Sequence, residues 1–277
     1  MSFGAAPAGG VDVDIGRAEL DFYAENGYLA VNGVATPAEI AWLGDVYDAL
    51  LARPRSGFLD EVFDPTRPYG SLAPPTLGQL LAPERFVPEI RATSVWKNAQ
   101  RIAARLLEAP IEDVHHWGHL VFKSAREGAE TPWHQDEAYW DPKLDYHAVA
   151  AWLPLQDVDV HNGCLWFLPG SHRRGVLHHR HCGGDPAVHL LETSVDVDRR
   201  RAVAVPLSVG AMTFHHPRVL HFAGGNRADV VRRAWANEFQ TKPRRRERPA
   251  ERPWVIEGEV ALAERMTRDR STTVERR

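Results

Sequence analysis

The first 110 residues carry apolar side chains at the spacing of amphipathic helices. Residues 17–26 form one such segment, and residues 94–108 form another. Between them, Thr36 and Glu39 have the spacing of a capping box, in which each side chain accepts a hydrogen bond from the backbone N–H of the other residue. We therefore predict a helical N-terminal part over about residues 15–110, with the middle helix beginning at this capping box.

The pattern changes after Pro110, where short apolar or alternating runs are separated by glycine, proline, asparagine and aspartate. Many short strands with turn signals between them are typical of a β-sandwich or barrel. The expected strands cover residues 120–123, 148–155, 164–168, 202–207, 211–215 and 233–240. We predict a β core over about residues 111–241, followed by a charged extension over residues 242–277 that is expected to pack loosely. The whole chain, residues 1–277, is interpreted as a single domain.

Two long loops are candidates for lids over a functional site. Residues 55–88 are rich in proline and glycine, and loops of this length are uncommon inside a domain unless they have a function. Residues 172–185 form the second loop, which is polar and contains several histidines. Closure of such loops commonly shields an active site from water.

Composition and charge narrow the classes of function. The formal net charge is −4 and the isoelectric point is near 6.4, which gives no electrostatic basis for binding nucleic acid or a membrane. No apolar segment approaches the ~20 residues that span a bilayer, and the N-terminus lacks a signal-peptide pattern. The two cysteines suit a reducing compartment. We expect a soluble cytoplasmic protein that acts on a small-molecule substrate, in an oligomeric state that the sequence leaves open.

Histidine is unusually frequent, because the chain contains 14 histidines and many of them lie between residues 115 and 222. Neutral imidazole is the commonest metal ligand in proteins, so this region is where a metal site is expected. Several of its polar residues have simpler interpretations. Residues 178–181 are expected to be solvated in their polar loop rather than to bind a second metal. Lys123 is expected on the surface, with contact to substrate or cosubstrate as the alternative.

His134 and Asp136 suggest two ligands of a metal site. Side chains two positions apart in a strand share a face, so this imidazole and this carboxylate would project together. They would supply two thirds of a 2-His-1-carboxylate triad, which leaves three positions of an octahedral iron open. Taken alone, however, a His-x-Asp sequence is more typical of a hydrogen-bonded pair on a surface strand.

A third ligand and an anion site are suggested further along the chain. His221 lies in an apolar run before a Gly-Gly-Asn turn, and His215 is the second choice for this ligand. Arg232 follows His221 by 11 residues, so a returning antiparallel strand would bring it beside that histidine. Its guanidinium suits the distal carboxylate of 2-oxoglutarate. Arg233 would face the opposite side, and strand alternation leaves open which arginine enters the barrel.

Together these residues resemble the phytanoyl-CoA dioxygenase family of iron(II)- and 2-oxoglutarate-dependent oxygenases. Three motifs carry the resemblance. They are residues 134–136, residues 162–172 with the sequence Asn-Gly-Cys-Leu-Trp-Phe-Leu-Pro-Gly-Ser-His, and the spacing between His221 and Arg232. The likeness extends over about residues 20–240, which is most of the chain. Several motifs in the same order make coincidence improbable.

The resemblance implies both a fold and a set of ligands. The implied fold is an all-β double-stranded β-helix, a jelly roll of cupin type, with flanking N-terminal helices. It assigns iron(II) to His134, Asp136 and His221, as the catalytic metal centre. It assigns the distal carboxylate of the cosubstrate 2-oxoglutarate to Arg232 rather than Arg233, with dioxygen bound at a remaining position of the metal.

The resemblance also implies finer features of the site. It places Trp152, Gln135 and His119 beside the cosubstrate. Ala223 departs from the family, whose members often carry a serine there that helps to hold the cosubstrate. Asp136 favours hydroxylation or a related oxidation, because related halogenases replace this carboxylate with a small residue so that chloride can bind iron. The aromatic and histidine residues expected around the pocket suggest a small or medium organic substrate, such as a natural-product or catabolic intermediate.

Two other classes of function remain open at this point. A cupin-type metalloenzyme, such as an isomerase or lyase, would use the same three metal ligands without 2-oxoglutarate and would not need Arg232. A non-catalytic jelly roll would bind a metal or ligand without consuming oxygen. Formation of succinate separates the oxygenase from both.

Overall fold

The computed structural model describes residues 5–7, 10–52, 62–68, 71 and 73–274. Within this part of the chain the α-helices are α1 (Arg17–Asn26), α2 (Pro37–Leu51), α3 (Ser94–Leu106) and α4 (Pro253–Val274). The first three helices lie where the apolar pattern predicts them. Part of the first candidate lid, residues 55–61, 69, 70 and 72, lies outside the described residues, so its role as a lid stays a prediction.

The strands follow the predicted positions closely and add several short ones. They are β1 (Tyr28–Val31), β2 (Leu77–Leu81), β3 (His115–Lys123), β4 (Thr131–His134), β5 (Leu144–Asp145), β6 (Ala148–Pro154), β7 (Leu165–Phe167), β8 (His179–His181), β9 (Leu191–Thr193), β10 (Val203–Val205), β11 (Met212–His215), β12 (His221–Ala223), β13 (Arg232–Gln240) and β14 (Arg244–Arg245). The predicted strand over 120–123 is longer than expected, because β3 extends back to His115.

One carboxylate caps two helices. The Thr36 hydroxyl accepts a hydrogen bond from the Glu39 N–H at 3.2 Å, and Glu39 Oε2 accepts one from the Thr36 N–H at 3.0 Å, so the predicted capping box is present. Glu39 is 1% exposed, and its other oxygen accepts hydrogen bonds from the N–H groups of Ser94 and Val95 at the start of α3. The N-termini of α2 and α3 are therefore held by the same side chain.

Two antiparallel sheets form the core. The larger sheet has the strand order β1-β11-β6-β13-β3-β2, and the smaller has the order β10-β7-β12-β4. Residues of both sheets share one apolar cluster, which includes Trp152 and Ala234 from the larger sheet and Leu165 and Phe167 from the smaller. The sheets therefore pack face to face as a double-stranded β-helix, and the predicted fold class is confirmed.

The larger sheet separates two environments. On its outer face, Trp235 and Phe239 of β13 pack with Leu43 of α2 and Ile102 of α3. On its inner face, toward the smaller sheet, alternate residues of the same strand line a cavity; these include Arg232, Ala236 and Glu238. Side chains alternate between the faces of a strand, so this arrangement decides which arginine enters the barrel.

The C-terminal segment packs more tightly than the sequence predicts. Arg252 and Trp254 are each 3% exposed, and the Trp254 indole N–H donates a hydrogen bond to the Ala138 carbonyl at 2.8 Å. The prediction of loose packing is therefore wrong for this stretch, because its large side chains bury themselves beside the turn that follows β4. Across the described residues, α4 included, no helix has both the length and the apolar character needed to cross a membrane.

The histidine-rich loop also differs from expectation. His179 is fully buried and His181 is 6% exposed, because both lie on β8, which pairs with β9. His179 Nε2 accepts a hydrogen bond from the Gln135 N–H, and the two ring nitrogens of His181 lie 2.7 Å and 2.8 Å from the carbonyl oxygens of Val188 and Trp254. The prediction of solvated histidines is wrong for these two side chains.

Candidate metal centre

The pairing of two short strands brings two predicted ligands side by side. His134 at the end of β4 lies directly opposite His221 at the start of β12, and their ring centroids are 4.1 Å apart. Asp136 begins a 3₁₀ turn (Asp136–Tyr139) immediately after β4. Its Oδ1 lies 3.6 Å from His134 Nε2 and 3.5 Å from His221 Nε2. One ligand atom from each of the three residues lies within 4.8 Å of the others, which is close enough to share a metal ion.

Backbone carbonyls fix the orientation of both rings. His134 Nδ1 lies 2.8 Å from the Pro132 carbonyl oxygen, and His221 Nδ1 lies 3.1 Å from the Val219 carbonyl oxygen. Because a carbonyl only accepts, each Nδ1 carries the proton and each Nε2 keeps its lone pair. Such second contacts are the usual way in which proteins orient metal-binding imidazoles.

His215, the second choice for a ligand, holds the carboxylate instead. Its Nε2 lies 3.1 Å from Asp136 Oδ2, while Oδ1 of the same carboxylate faces His134 and His221. Burial raises the pKa of Asp136, but the three surrounding histidines outweigh it and hold that pKa well below its usual range. Burial, with His134 adding to it, lowers the pKa of His221 well below its usual range. The site therefore combines an ionised carboxylate with a neutral imidazole, as metal binding requires.

The group that anchors the Asp136 turn is not predicted by the sequence pattern. Glu137 is fully buried, and its carboxylate pairs with Arg218 at 2.6 Å and Arg252 at 2.8 Å. Arg252 Nη1 also donates to the backbone carbonyl of Glu137. The available signal was a second acidic residue directly after Asp136, but its partners lie 81 and 115 residues away in sequence.

The side chain of Gln135 contacts a loop instead of the expected cosubstrate position. Its side-chain amide donates to the backbone carbonyls of Gly175 and Arg218, and its Oε1 accepts a hydrogen bond from the Leu177 N–H at 2.7 Å. Because Gln135 alternates with His134 and Asp136, it faces away from the metal-binding side of the strand. The expectation of Gln135 beside the cosubstrate is therefore corrected: this side chain holds the loop that begins at Gly175.

A cavity of about 110 Å³ opens beside the three candidate ligands, between the two sheets. Its lining includes Trp152, Arg232 and His119, so these predicted cosubstrate residues do face the same space. Ala223 also lines the cavity, at the position where the family often carries a serine. The cavity thus brings a candidate metal site and a candidate anion site together.

Arg232 and not Arg233 enters this cavity. Arg232 is 2% exposed, its guanidinium carbon lies 5.3 Å from the centre of the Trp152 ring, and burial lowers its pKa to about 10, so it stays charged at neutral pH. Its Nε and Nη1 have no hydrogen-bond partner within the described part of the chain. Arg233 instead reaches Asp48 of α2 at 2.9 Å. A buried guanidinium with free N–H groups is the arrangement expected for binding an anionic ligand.

Lys123 is buried, and the expectation of a surface lysine is wrong. Its ammonium donates to the carbonyls of Ala223 at 3.0 Å and Gly224 at 2.7 Å, which ties β3 to the turn that follows β12. Burial lowers the pKa of Lys123 well below its usual range, and Arg232 adds to this effect. The lysine therefore stabilises the segment that carries His221.

Comparison with known proteins shows the family to which this chain belongs. Residues 23–234 match the model of the family described as Phytanoyl-CoA dioxygenase (PhyH). The Bos taurus protein named Phytanoyl-CoA dioxygenase domain-containing protein 1 is 31% identical over 118 residues, which cover 42% of this chain and 40% of that protein. The match therefore spans less than half the length of this curated relative.

Solved structures extend the likeness to nearly the whole fold. The chain is similar to EvdO2 from Micromonospora carbonacea var. aurantiaca, solved in complex with 2-oxoglutarate, with a TM-score of 0.78 and 36% identity over 88% of this chain and 98% of EvdO2. It is also similar in fold to SnoK, a non-heme alpha ketoglutarate dependent carbocyclase from nogalamycin biosynthesis, with a TM-score of 0.63 and 23% identity over 84% of this chain and 87% of SnoK.

Proposed function

Because the chain belongs to the phytanoyl-CoA dioxygenase family, we propose that it is an iron(II)- and 2-oxoglutarate-dependent oxygenase whose metal is held by His134, Asp136 and His221. The single observation that carries the proposal is a shared cavity. The candidate metal ligands and the Arg232 guanidinium face the same space between the two sheets, and Nε and Nη1 of this guanidinium have no partner among the described residues.

The donor set fits iron(II). Two imidazole nitrogens and one carboxylate oxygen form the facial triad that non-haem iron oxygenases use, and such a triad leaves three positions for other ligands. Both Nε2 atoms keep their lone pairs, because each Nδ1 donates to a backbone carbonyl. His215 holds the second oxygen of Asp136, so this carboxylate would offer one oxygen to the metal.

Iron and 2-oxoglutarate supply the oxidising chemistry, in which dioxygen and 2-oxoglutarate are consumed and succinate and carbon dioxide are released. The chain supplies the orientation of these ligands. Arg232 would pair with the distal carboxylate of 2-oxoglutarate, and the Trp152 ring would flank the bound molecule. Ala223 offers no hydroxyl here, so the cosubstrate would depend more strongly on Arg232. EvdO2, which binds 2-oxoglutarate, supports this assignment through its 36% identity.

We further propose that the reaction is hydroxylation of a small or medium organic substrate. Asp136 fills the third protein position, which favours transfer of oxygen over transfer of a halide. Apolar residues line much of the cavity beside the candidate metal site, among them Val121, Ala150 and Ala236, and such a lining suits a carbon-rich substrate. His119 would stand beside the substrate or cosubstrate as a neutral ring, because burial lowers its pKa to about 4.

An anaerobic titration tests the cosubstrate and its anchor. Iron(II) and then 2-oxoglutarate are added to the apoprotein, and the weak visible charge-transfer band of the chelated metal is followed. We expect the band in the wild type, no band in His134→Ala, and a requirement for about 100-fold more 2-oxoglutarate in Arg232→Ala, because a buried charge loses its partner.

Arg233→Ala is the matched control, since this neighbouring arginine pairs with Asp48 outside the cavity. It should bind 2-oxoglutarate as the wild type does. If iron binds but no band forms at any concentration of 2-oxoglutarate, the oxygenase assignment fails. The cupin-type metalloenzyme or the non-catalytic binding protein would then take its place.

A further inference from the structure

The inner face of β13 carries a buried carboxyl group that the proposed function does not use. Glu238 is 7% exposed and lines the same cavity as Arg232, six residues further along the strand, which corresponds to roughly 20 Å. Its Oε2 is buried and has no hydrogen-bond partner among the residues described. Burying a carboxyl oxygen without a partner is unfavourable, so a group that arrives with a ligand would satisfy it.

An imidazole with an unpaired nitrogen lies near this carboxyl group. His119 on β3 is directly opposite Ala236 on β13, one inner-face position before Glu238. Its Nδ1 is also buried without a hydrogen-bond partner in the described part of the chain. Because the alanine between them has a small side chain, both polar groups reach the same space.

This pair lies toward the open end of the cavity. Along the inner face of β3, the exposed fraction rises from 0% at Lys123 and 9% at Val121 to 39% at Trp117. Trp117 is directly opposite Glu238 in the register, whereas Lys123 is opposite Arg232. The closed end therefore holds the guanidinium assigned to 2-oxoglutarate, and the open end is left for the organic substrate.

The charge states of the two groups narrow the ligand chemistry. Burial raises the pKa of Glu238 well above its usual range, and the Asp136 carboxylate adds to this effect. Burial lowers the pKa of His119 to about 4. Burial thus favours the neutral form of Glu238, which donates an O–H, and leaves His119 as a neutral imidazole with one donor and one acceptor. A hydroxyl group, which both donates and accepts, matches this set better than an ammonium or a carboxylate.

We propose that Glu238 and His119 form a subsite that binds a hydroxyl group on an uncharged part of the organic substrate. Glu238 therefore determines specificity and orients the substrate over the metal site. This inference rests on the proposed oxygenase function. Its test uses the complex with iron(II) and 2-oxoglutarate, so that loss of the complex and loss of the subsite are seen separately.

The test combines a small probe with thermal stability. The probe is cis-1,2-cyclohexanediol, added to the anaerobic complex, and its binding is followed by paramagnetic broadening of its proton signals, which requires a position close to iron. We expect Glu238→Leu and His119→Phe each to weaken diol binding about tenfold, and Glu238→Leu to leave the charge-transfer band of bound 2-oxoglutarate intact. Glu238→Leu should also raise the Tm of the apoprotein by roughly 2 °C, because an unpaired buried carboxyl is removed.

Glu247→Gln, which changes an exposed carboxyl nine residues after Glu238 and outside the cavity lining, is the control and should bind the diol as the wild type does. Three results would each overturn the inference. They are the absence of diol broadening in the wild type, equal broadening in Glu238→Leu, and a lower Tm for Glu238→Leu. Tighter binding of cis-2-aminocyclohexanol than of the diol would also overturn it, because the subsite would then prefer a cation. Absence of the 2-oxoglutarate band in the wild type would instead count against the proposed function itself.

Discussion

Two groups of buried ionisable side chains flank the candidate metal centre, and they are built in opposite ways. Behind the Asp136 turn, the Glu137 carboxylate is paired with Arg218 and Arg252 at 2.6 Å and 2.8 Å. Inside the cavity, the Arg232 guanidinium and the Glu238 carboxyl keep polar atoms without partners among the described residues. The paired group stabilises the fold, whereas the unpaired groups weaken it and are explained by the ligands they would bind.

Breaking an ion pair of Glu137 should give the largest change in the free energy of unfolding. Arg252→Met keeps much of the side-chain volume but removes a charge from buried Glu137, so the free energy of unfolding should fall by about 3 kcal/mol. Urea denaturation of the apoprotein measures this change. Arg244→Met, at an exposed position on β14, should change it by less than about 0.5 kcal/mol. A loss below about 1 kcal/mol in Arg252→Met would show that Arg218 at 2.6 Å and Arg246 at 3.7 Å from the same carboxylate are enough to hold the turn.

The buried neutral histidines predict a dependence of stability on pH. Burial lowers the pKa of His119 to about 4, below the unfolded value of about 6.5, so the unfolded chain binds more protons between these values. The stability is therefore fully present above about pH 6.5 and is lost as the pH falls toward 4. For this one group the free energy of unfolding of the apoprotein should change by roughly 1 kcal/mol per pH unit near pH 5.

His119→Phe isolates the contribution of this unpaired ring. Between pH 6 and 5, proton uptake on unfolding should drop by about one proton relative to the wild type. Equal slopes for wild type and variant in chemical denaturation would show that His119 already carries a proton in the folded state. His119 would then offer the substrate two N–H donors and no acceptor, and the proposed match to a hydroxyl group would no longer hold.

Removing the buried charge of Arg232 should give the smallest change in the free energy of unfolding, and this change should be a stabilisation. Arg232→Met keeps an apolar stem beside Trp152 and removes a buried charge, so the free energy of unfolding of the apoprotein should rise by about 1 kcal/mol. Thermal or urea unfolding without 2-oxoglutarate measures it. Arg233→Met, which removes a partly exposed pair with Asp48, should lower stability by less than about 1 kcal/mol. A clear destabilisation in Arg232→Met would mean that the guanidinium has a structural role.

The sequence predicts the parts of this molecule that depend on local spacing. His134 ends β4 and Asp136 begins the turn two residues later, and Thr36 and Glu39 are three apart at a helix start, so short-range geometry is enough to bring each pair together. The fold class follows in the same way from the density of short strands and from the family motifs.

The missed features depend on contacts between distant segments. Glu137 meets Arg252 across 115 residues, and the choice between Arg232 and Arg233 depends on which face of β13 the helices cover. Glu238 is different, because a local pattern indicates its position. It lies six residues after Arg232 on the same strand, so alternation alone places this second ionisable side chain on the inner face.

The carboxylate of Glu39 has a consequence for how the helical layer opens. Its two oxygens accept hydrogen bonds from backbone N–H groups at the starts of both α2 and α3, which are separated by more than fifty residues of sequence. Fraying of one helix start therefore removes the acceptor of the other. In amide hydrogen exchange, the N–H groups of Thr36, Ser94 and Val95 should lose protection together as one cooperative unit, and Glu39→Gln should accelerate all three.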